Sequence, residues 1–389
     1  MAAISGDRME RLYFHRFKDI GEEALGIRHV HNGLFWKQIV PQYCHEVPSV
    51  KHAYIAFSAA YLNFHVSGKR PDPSSPPTEA ESFVINQYNL ALKNIAADCD
   101  GLPLRRRYGI TMMCCVAFFC IEVLRGEWEL GLAHLANGLR MMSDLPEDVA
   151  DILHNPAKWS QGLDTSYVRV AYMIKLLTRW EVSVGYLAAD FQPFLTTKAF
   201  QSRQLDLHIP GTARSVEELQ DIVDDFCQDV NAFAYLARHG DGGHEYWVDP
   251  THRLQYWALK QRSDNIAPLF REHREMHGNY QPGSREDIAL NISLLNHRAS
   301  SLTLDLLPFS GECDILSLAA EEDRAAELVR IAETIHDAHQ YFVEANNSPR
   351  ISLDSGVVPT LHVAARLCSN ESIRDRLCGL IREWPGKES

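Results

Sequence analysis

Four places in the sequence gather side chains that can hold a metal or move a proton. The first is "CHEVPSVKHAYIAFSAAYLNFH", where Cys44, His45, His52 and His65 sit in an apolar run. Two histidines on a helix share an ion when they stand four apart, one turn up one face. His52 and His65 are too widely spaced for that, so the stretch reads as a packed helix that happens to carry histidines. The second is "DDFCQD", with Asp224, Asp225 and Asp229. A carboxylate set of this kind is how class I terpene cyclases hold magnesium and diphosphate, since hard oxygen ligands suit magnesium. No matching Asn, Ser/Thr and Glu motif follows downstream, and the spacing places the aspartates opposite an apolar stripe, as a solvated acidic face. The third is "HREMH", in which His273 and His277 stand four apart beside Glu272 and Glu275. The order departs from that of a zinc metalloprotease and no third ligand is evident, which favours a surface histidine pair. The fourth is "HGDGGHEYW", a glycine-rich turn with His239, Asp241, His244 and Glu245, of a type that can host acid–base groups.

Helices must position these groups. Val50, Ala53, Tyr54, Phe57, Tyr61 and Phe64 recur with helical period and Pro48 stands near a first turn, so a helix is expected there with His52 pointing away from the stripe. Cys44 and His45 precede the proline and fall outside that helix. "VSGKRPDPSSPPTEA", residues 66–80, is a proline-rich loop. Helix resumes at "SFVINQYNLALKNIAA", and "YGITMMCCVAFFCIEVL" is apolar nearly all round, the mark of a buried central helix. Gly126 can stop it, and Trp128, Leu132, Leu135, Leu139 and Met142 begin a helical partner, making a hairpin. The Met112, Met113, Phe118 and Phe119 cluster reads as core.

Further along, "YVRVAYMIKLLTRWEVSVGYL" is helical and residues 190–214 are irregular. Ser215 and Glu218 form a capping box that opens a helix carrying Leu219, Ile222, Val223, Phe226, Val230 and Phe233 on one face. Helices are expected over 252–277, 285–307, 319–345 and 357–384. No segment alternates with period two over enough residues for a sheet. The expectation is an all-α fold, one domain over 1–389 of stacked helical hairpins, without a repeat regular enough for a solenoid.

Composition narrows the function classes. With 46% hydrophobic side chains in 389 residues the chain can bury a large core. A formal net charge of −13 leaves no broad basic surface for a phosphate backbone, the densest basic cluster being Arg105, Arg106 and Arg107, so no direct nucleic-acid binding by this chain is expected. Nine cysteines without regular spacing, two of them Cys114 and Cys115 in an apolar helix, suit reduced intracellular thiols. The opening residues have no secretory signal and no window has the length to span a bilayer free of charge, so no membrane association is expected. Neither a phosphate-binding glycine loop with its lysine nor a nucleophile elbow occurs.

A series of segments carries a resemblance. "FHRFKDIGEEALG", "GLFWKQIVPQYCHEVPSVKHAYIAFSAAYLNFH" and "NQYNLALKNI" resemble the regulatory domain of fungal zinc binuclear-cluster transcription factors. "FFCIEVLRGEWELGLAHLANGLRMM" is similar to that family's central helical hairpin and "SGVVPTLHVAARLCSNESIRDRLCGLIREWP" to its C-terminal segment, so the likeness extends from Tyr13 to about Pro385. DNA-binding members carry six closely spaced cysteines near the N-terminus; here the first is Cys44 and the next Cys99, and no zinc cluster is expected within the chain. The resemblance implies an α-helical regulatory protein at home in the nucleus or nucleocytoplasm, and identifies no catalytic residue.

Two function classes follow. The first is a regulator of transcription, of a specialised-metabolism pathway, acting through protein partners such as a DNA-binding regulator or the transcription machinery, or through a small-molecule ligand held between hairpins. A homodimer fits this class. The alternative is an enzyme on the same helical fold, a cyclase or isomerase, whose acid–base candidates are His52, Glu122, His134, Asp225 and His244. No cofactor and no metal are assigned.

Overall fold

The structure, a computed structural model, describes residues 4–20, 35–67, 70–72, 74–144, 165–188, 191–202, 211–239, 245–278, 280–307, 315–346 and 356–384. Among these the secondary structure is helical, without a strand, as the sequence leads one to expect. The described residues up to Leu177 form one compact unit and those from Thr178 onward a second; the chain read as one domain from its sequence is taken here unit by unit.

The first unit contains α1 (Arg8–Ile20), α2 (Val40–Glu46), α3 (Pro48–Ser67), α4 (Glu79–Cys99), α5 (Leu104–Arg125), α6 (Trp128–Ser143) and the first half of α7 (Thr165–Leu187). Cys44 and His45, outside the Pro48 helix as expected, belong to the short helix α2. At the centre α3 is packed against α1, α2, α4 and α5, and Tyr54, Phe57 and Tyr61 are fully buried. Phe17, Trp36, Tyr54 and Phe57 meet edge to face or tilted, with Phe17 and Tyr54 ring centres 5.2 Å apart. Asp98, at the end of α4, accepts the Ser49 N–H at 2.7 Å and so satisfies a donor at the start of α3.

Two helix ends in this unit have a readable cause. Thr78 opens α4 through a complete capping box with Glu81, whose carboxylate accepts the Thr78 N–H at 2.6 Å. Gly126, at φ 82°, closes α5 in the left-handed conformation open to glycine, and α6 starts two residues on. α5 has the length and apolar composition of a membrane span, yet most of it is buried among α3, α4 and α6.

The second unit holds the rest of α7, then α8 (Leu195–Ser202), α9 (Val216–His239), α10 (Pro250–His277), α11 (Arg285–Asp305), α12 (Ile315–Asn346), α13 (Val357–Leu367) and α14 (Glu371–Glu383). α11 is its centre, packed on α9, α10, α12 and α13, and contributes residues to both of its apolar clusters. The stripe on α9 behaves as expected, with Leu219, Val223, Phe226, Val230 and Phe233 at most 1% exposed.

Three local expectations change. Residues 190–214 are not wholly irregular: the Glu181 carboxylate on α7 accepts the N–H groups of Phe194, Leu195 and Thr196 at 2.5, 3.0 and 2.8 Å and opens α8. At α9, Ser215 Oγ accepts the Glu218 N–H, but the Glu218 carboxylate returns to the N–H of Arg214, one residue earlier than a capping box requires. The helix expected over 357–384 is two helices, because Asn370 caps α14 by accepting the Ile373 N–H at 3.1 Å.

Candidate functional site

Of the five acid–base candidates, the fold brings Glu122 and His134 to the surroundings of one residue that sequence reasoning did not single out, Tyr88. α4 and α6 both pack on α5. On α6, Gly131 and Gly138 face α5: a methyl group at Gly131 would lie 3.5 Å from Glu122 Cβ, and one at Gly138 would lie 3.2 Å from the Met112 methyl. The small residues bring α6 close enough for His134, between them, to reach the Tyr88 hydroxyl of α4, which lies 2.8 Å from His134 Nε2. Phe118 of α5 lies beneath, its ring centre 4.3 Å from that of Tyr88 and 5.3 Å from that of His134.

One helical turn beyond Phe118, Glu122 is 1% exposed and 3.4 Å from Arg125 Nη1, near enough to Tyr88 for its charge to bear on the phenol. Burial raises its pKa, against the pull of Arg125 and the Tyr88 hydroxyl. The same burial lowers the pKa of His134 and raises that of Tyr88, to which the nearby Glu122 charge adds. All three groups are thus biased toward their uncharged forms.

Two proton arrangements satisfy the Tyr88–His134 pair. Either the Tyr88 hydroxyl donates to Nε2 and Nδ1 carries the hydrogen, or Nε2–H donates to the Tyr88 oxygen and Nδ1 holds the lone pair. Such a pair is able to bind a polar group or to relay a proton.

The remaining candidates lie elsewhere. His52 is buried, because α3 is covered on the side opposite its aromatic stripe as well: its Nδ1–H donates to Gln87 Oε1 at 2.7 Å, and Gln87 donates on to Glu10 at 3.2 Å. This chain ties α1 to α3 and α4. Asp225, in the second unit, is 49% exposed and lies 3.9 Å from Arg262. His244 and Asp241 fall outside the described residues, as does the side chain of Glu245. His239 is exposed and stacked on Tyr235.

The aspartates of "DDFCQD" form a solvated face only at Asp225. Asp229 is 3% exposed and accepts from Arg262 at 2.6 Å, while Asp224 pairs with Arg179 at 2.5 Å. Arginines from α10 and α7 cover what the stripe on α9 leaves open. His273 is likewise fully buried, with Nδ1 3.1 Å from the Ala213 carbonyl and Nε2 2.9 Å from the Tyr280 hydroxyl, so "HREMH" is not a surface pair. Among the described residues no group of three or more His, Cys, Asp or Glu is placed to share a metal ion, and the described cysteines are free thiols.

Glu122 was legible as the lone acid within the apolar run of α5. Tyr88 carried a weaker sign: it stands four residues after Val84 and three before Ala91, both of which face the core. Comparison of the chain with protein-family models, curated proteins and solved structures gave no match.

Proposed function

We propose that this chain is a transcription-regulating protein of the fungal zinc-cluster-factor type, with no zinc cluster among the residues of the chain itself, and that it responds to a small molecule at the Tyr88–His134 pair beside Glu122. The observation that carries the ligand response is this hydrogen-bonded pair with a buried carboxyl beside it, polar groups biased toward neutrality at the junction of three helices. The regulatory reading rests on the resemblance of the ordered motifs from Tyr13 onward and is in keeping with the all-helical architecture. In this role the protein works in the nucleus beside a DNA-binding partner, as a monomer or homodimer, and controls a specialised-metabolism pathway.

The same residues favour one second reading, an isomerase or cyclase in which the Tyr88–His134 pair exchanges a proton with substrate. Deleting the gene and measuring neighbouring transcripts together with the metabolite profile separates the two. Transcripts that collapse with the product support the regulator. Steady transcripts with an accumulating intermediate overturn it in favour of the enzyme.

A further inference from the structure

In the second unit α10 buries one side and keeps an apolar centre on the other. Tyr256, Leu259, Arg262 and Ile266 face the interior. At 3.6 residues per turn Trp257 lies on the opposite side together with Arg253, Leu254, Gln261 and Asp264, and all five are exposed. Leu254 is 70% and Trp257 57% exposed, one turn apart, on a face that a surface helix ordinarily fills with polar groups. Asp249 caps the start of this stretch by accepting the Thr251 N–H at 2.7 Å, and Pro268 bounds it at the far end. Between the two runs a continuous helical face of about five turns.

Charge on this face has opposite signs at its two ends. Arg253 stands about one turn before Trp257 and Asp264 about two turns after it. Neither enters an ion pair among the described residues. Lys260, whose charge is felt by Asp264, is held by Asp305. A second α10 laid antiparallel on the first brings Arg253 of each chain to Asp264 of the other and sets the two Trp257 side chains within about one turn of each other at the centre. A parallel pair would instead oppose Arg253 to Arg253. Two-fold self-complementarity is what an isologous interface requires, and an aromatic anchor within a charged rim is its usual anatomy. The formal net charge of −13 makes copies of this chain repel one another in general, so pairing is favoured where a patch is both apolar and locally balanced.

We propose that the face of α10 centred on Trp257 is a homodimer interface, in which two copies of the helix pack antiparallel, Trp257 against Trp257, and Arg253 of each chain pairs with Asp264 of the other. The interface goes beyond the functional reading above and does not rest on it. Steady transcripts on gene deletion would overturn that reading and leave the dimer untouched.

Sedimentation of the full chain over a concentration series tests it. A monomer–dimer equilibrium is expected with a dissociation constant on the order of 10 µM, since one helix from each chain covers less than the interface of a stable dimer. Trp257→Ser, at an exposed position, should weaken the dimer about a hundredfold, because both copies lose the central aromatic. Arg253→Glu and Asp264→Arg each set like charges against one another at both ends and should weaken it about tenfold. Mixed in equal amounts, the two charge variants should recover a dimer holding one chain of each, because every end then joins opposite charges. That recovery needs both chains folded, so it reports even where Trp257→Ser fails to fold. A chain monomeric throughout the series, its α10 face left to some other partner, would overturn the proposal. So would a dimer that Trp257→Ser leaves unchanged, or charge variants that do not complement each other.

Discussion

The hydroxyl of Tyr88 lies 2.8 Å from Nε2 of His134, and this hydrogen bond links α4 to α6 across Phe118 of α5. Glu122, a carboxyl group 1% exposed to solvent, lies nearby, and its charge together with burial raises the pKa of Tyr88. Tyr88→Phe removes the hydroxyl and leaves His134 Nε2 without this partner. The expected cost is about 1 kcal/mol in urea unfolding, the loss of one hydrogen bond at a half-buried histidine.

His297 sets a pH limit on the second unit. It is fully buried between Phe226 and Phe270, with Nε2 3.1 Å from the Ser263 carbonyl and no partner for Nδ1 among the described residues. Burial pulls its pKa down to about 4, with Arg298 adding to the effect. The unfolded chain titrates near the ordinary value of about 6.5, so between the two the unfolded state binds more protons. Stability is full above about pH 6.5 and falls as the pH drops toward 4, by about 3 kcal/mol over that window. His297→Gln, which keeps a donor for the Ser263 carbonyl, should flatten this slope in denaturation curves taken from pH 7 to 4.

The Asp229–Arg262 pair should show the asymmetry of buried ions. The side chains are 4% and 10% exposed and 2.6 Å apart. Asp229→Ala leaves the guanidinium with the half-exposed Asp225 at 3.9 Å and should destabilise by about 3 kcal/mol, whereas the double change Asp229→Leu with Arg262→Met should recover most of that loss. A thermodynamic cycle over the four proteins measures the coupling.

Two glycines should respond oppositely to alanine. At Gly131 the added methyl meets Glu122 Cβ at 3.5 Å and Phe119 at 3.7 Å, ordinary contact distances, so helix propensity should prevail and Gly131→Ala should stabilise by about 0.5–1 kcal/mol. At Gly185 the methyl would lie 2.8 Å from Asn231 Oδ1, so Gly185→Ala should destabilise. Thermal unfolding of both variants reads the sign directly.

The sequence made most helices legible because each buries one face, and the period of that face survives in the order of residues. The stripe from Leu219 to Phe233 and the stop at Gly126 are examples in which cause and effect lie within one element. Where the cause lies on another element, legibility fails. Glu181 opens α8 from α7, and Arg262 of α10 covers Asp229 of α9, 33 residues away. Periodicity identifies the face a side chain occupies and is silent about which neighbour covers it, which is why Asp229 and His273 read as exposed and prove buried. The break between α13 and α14 was local and readable, since Asn370 followed by Glu371 is a helix start, but the continuing apolar period masked it.

The site divides in the same way. Glu122 and His134 stood out as acid–base types, yet only the packing of α4 and α6 against α5 reveals that Tyr88 is the partner of His134. His52 has the same chemistry, and the Gln87–Glu10 chain it enters fastens α1.

Ligand sensing by a regulatory protein at the Tyr88–His134 pair, as proposed, requires the tyrosine hydroxyl. Its most direct test restores the deleted gene in the source organism with either the wild-type sequence or Tyr88→Phe, at matched protein abundance, and measures the neighbouring transcripts. Wild type should restore them and Tyr88→Phe should not. Restoration by Tyr88→Phe as complete as by wild type would contradict the account.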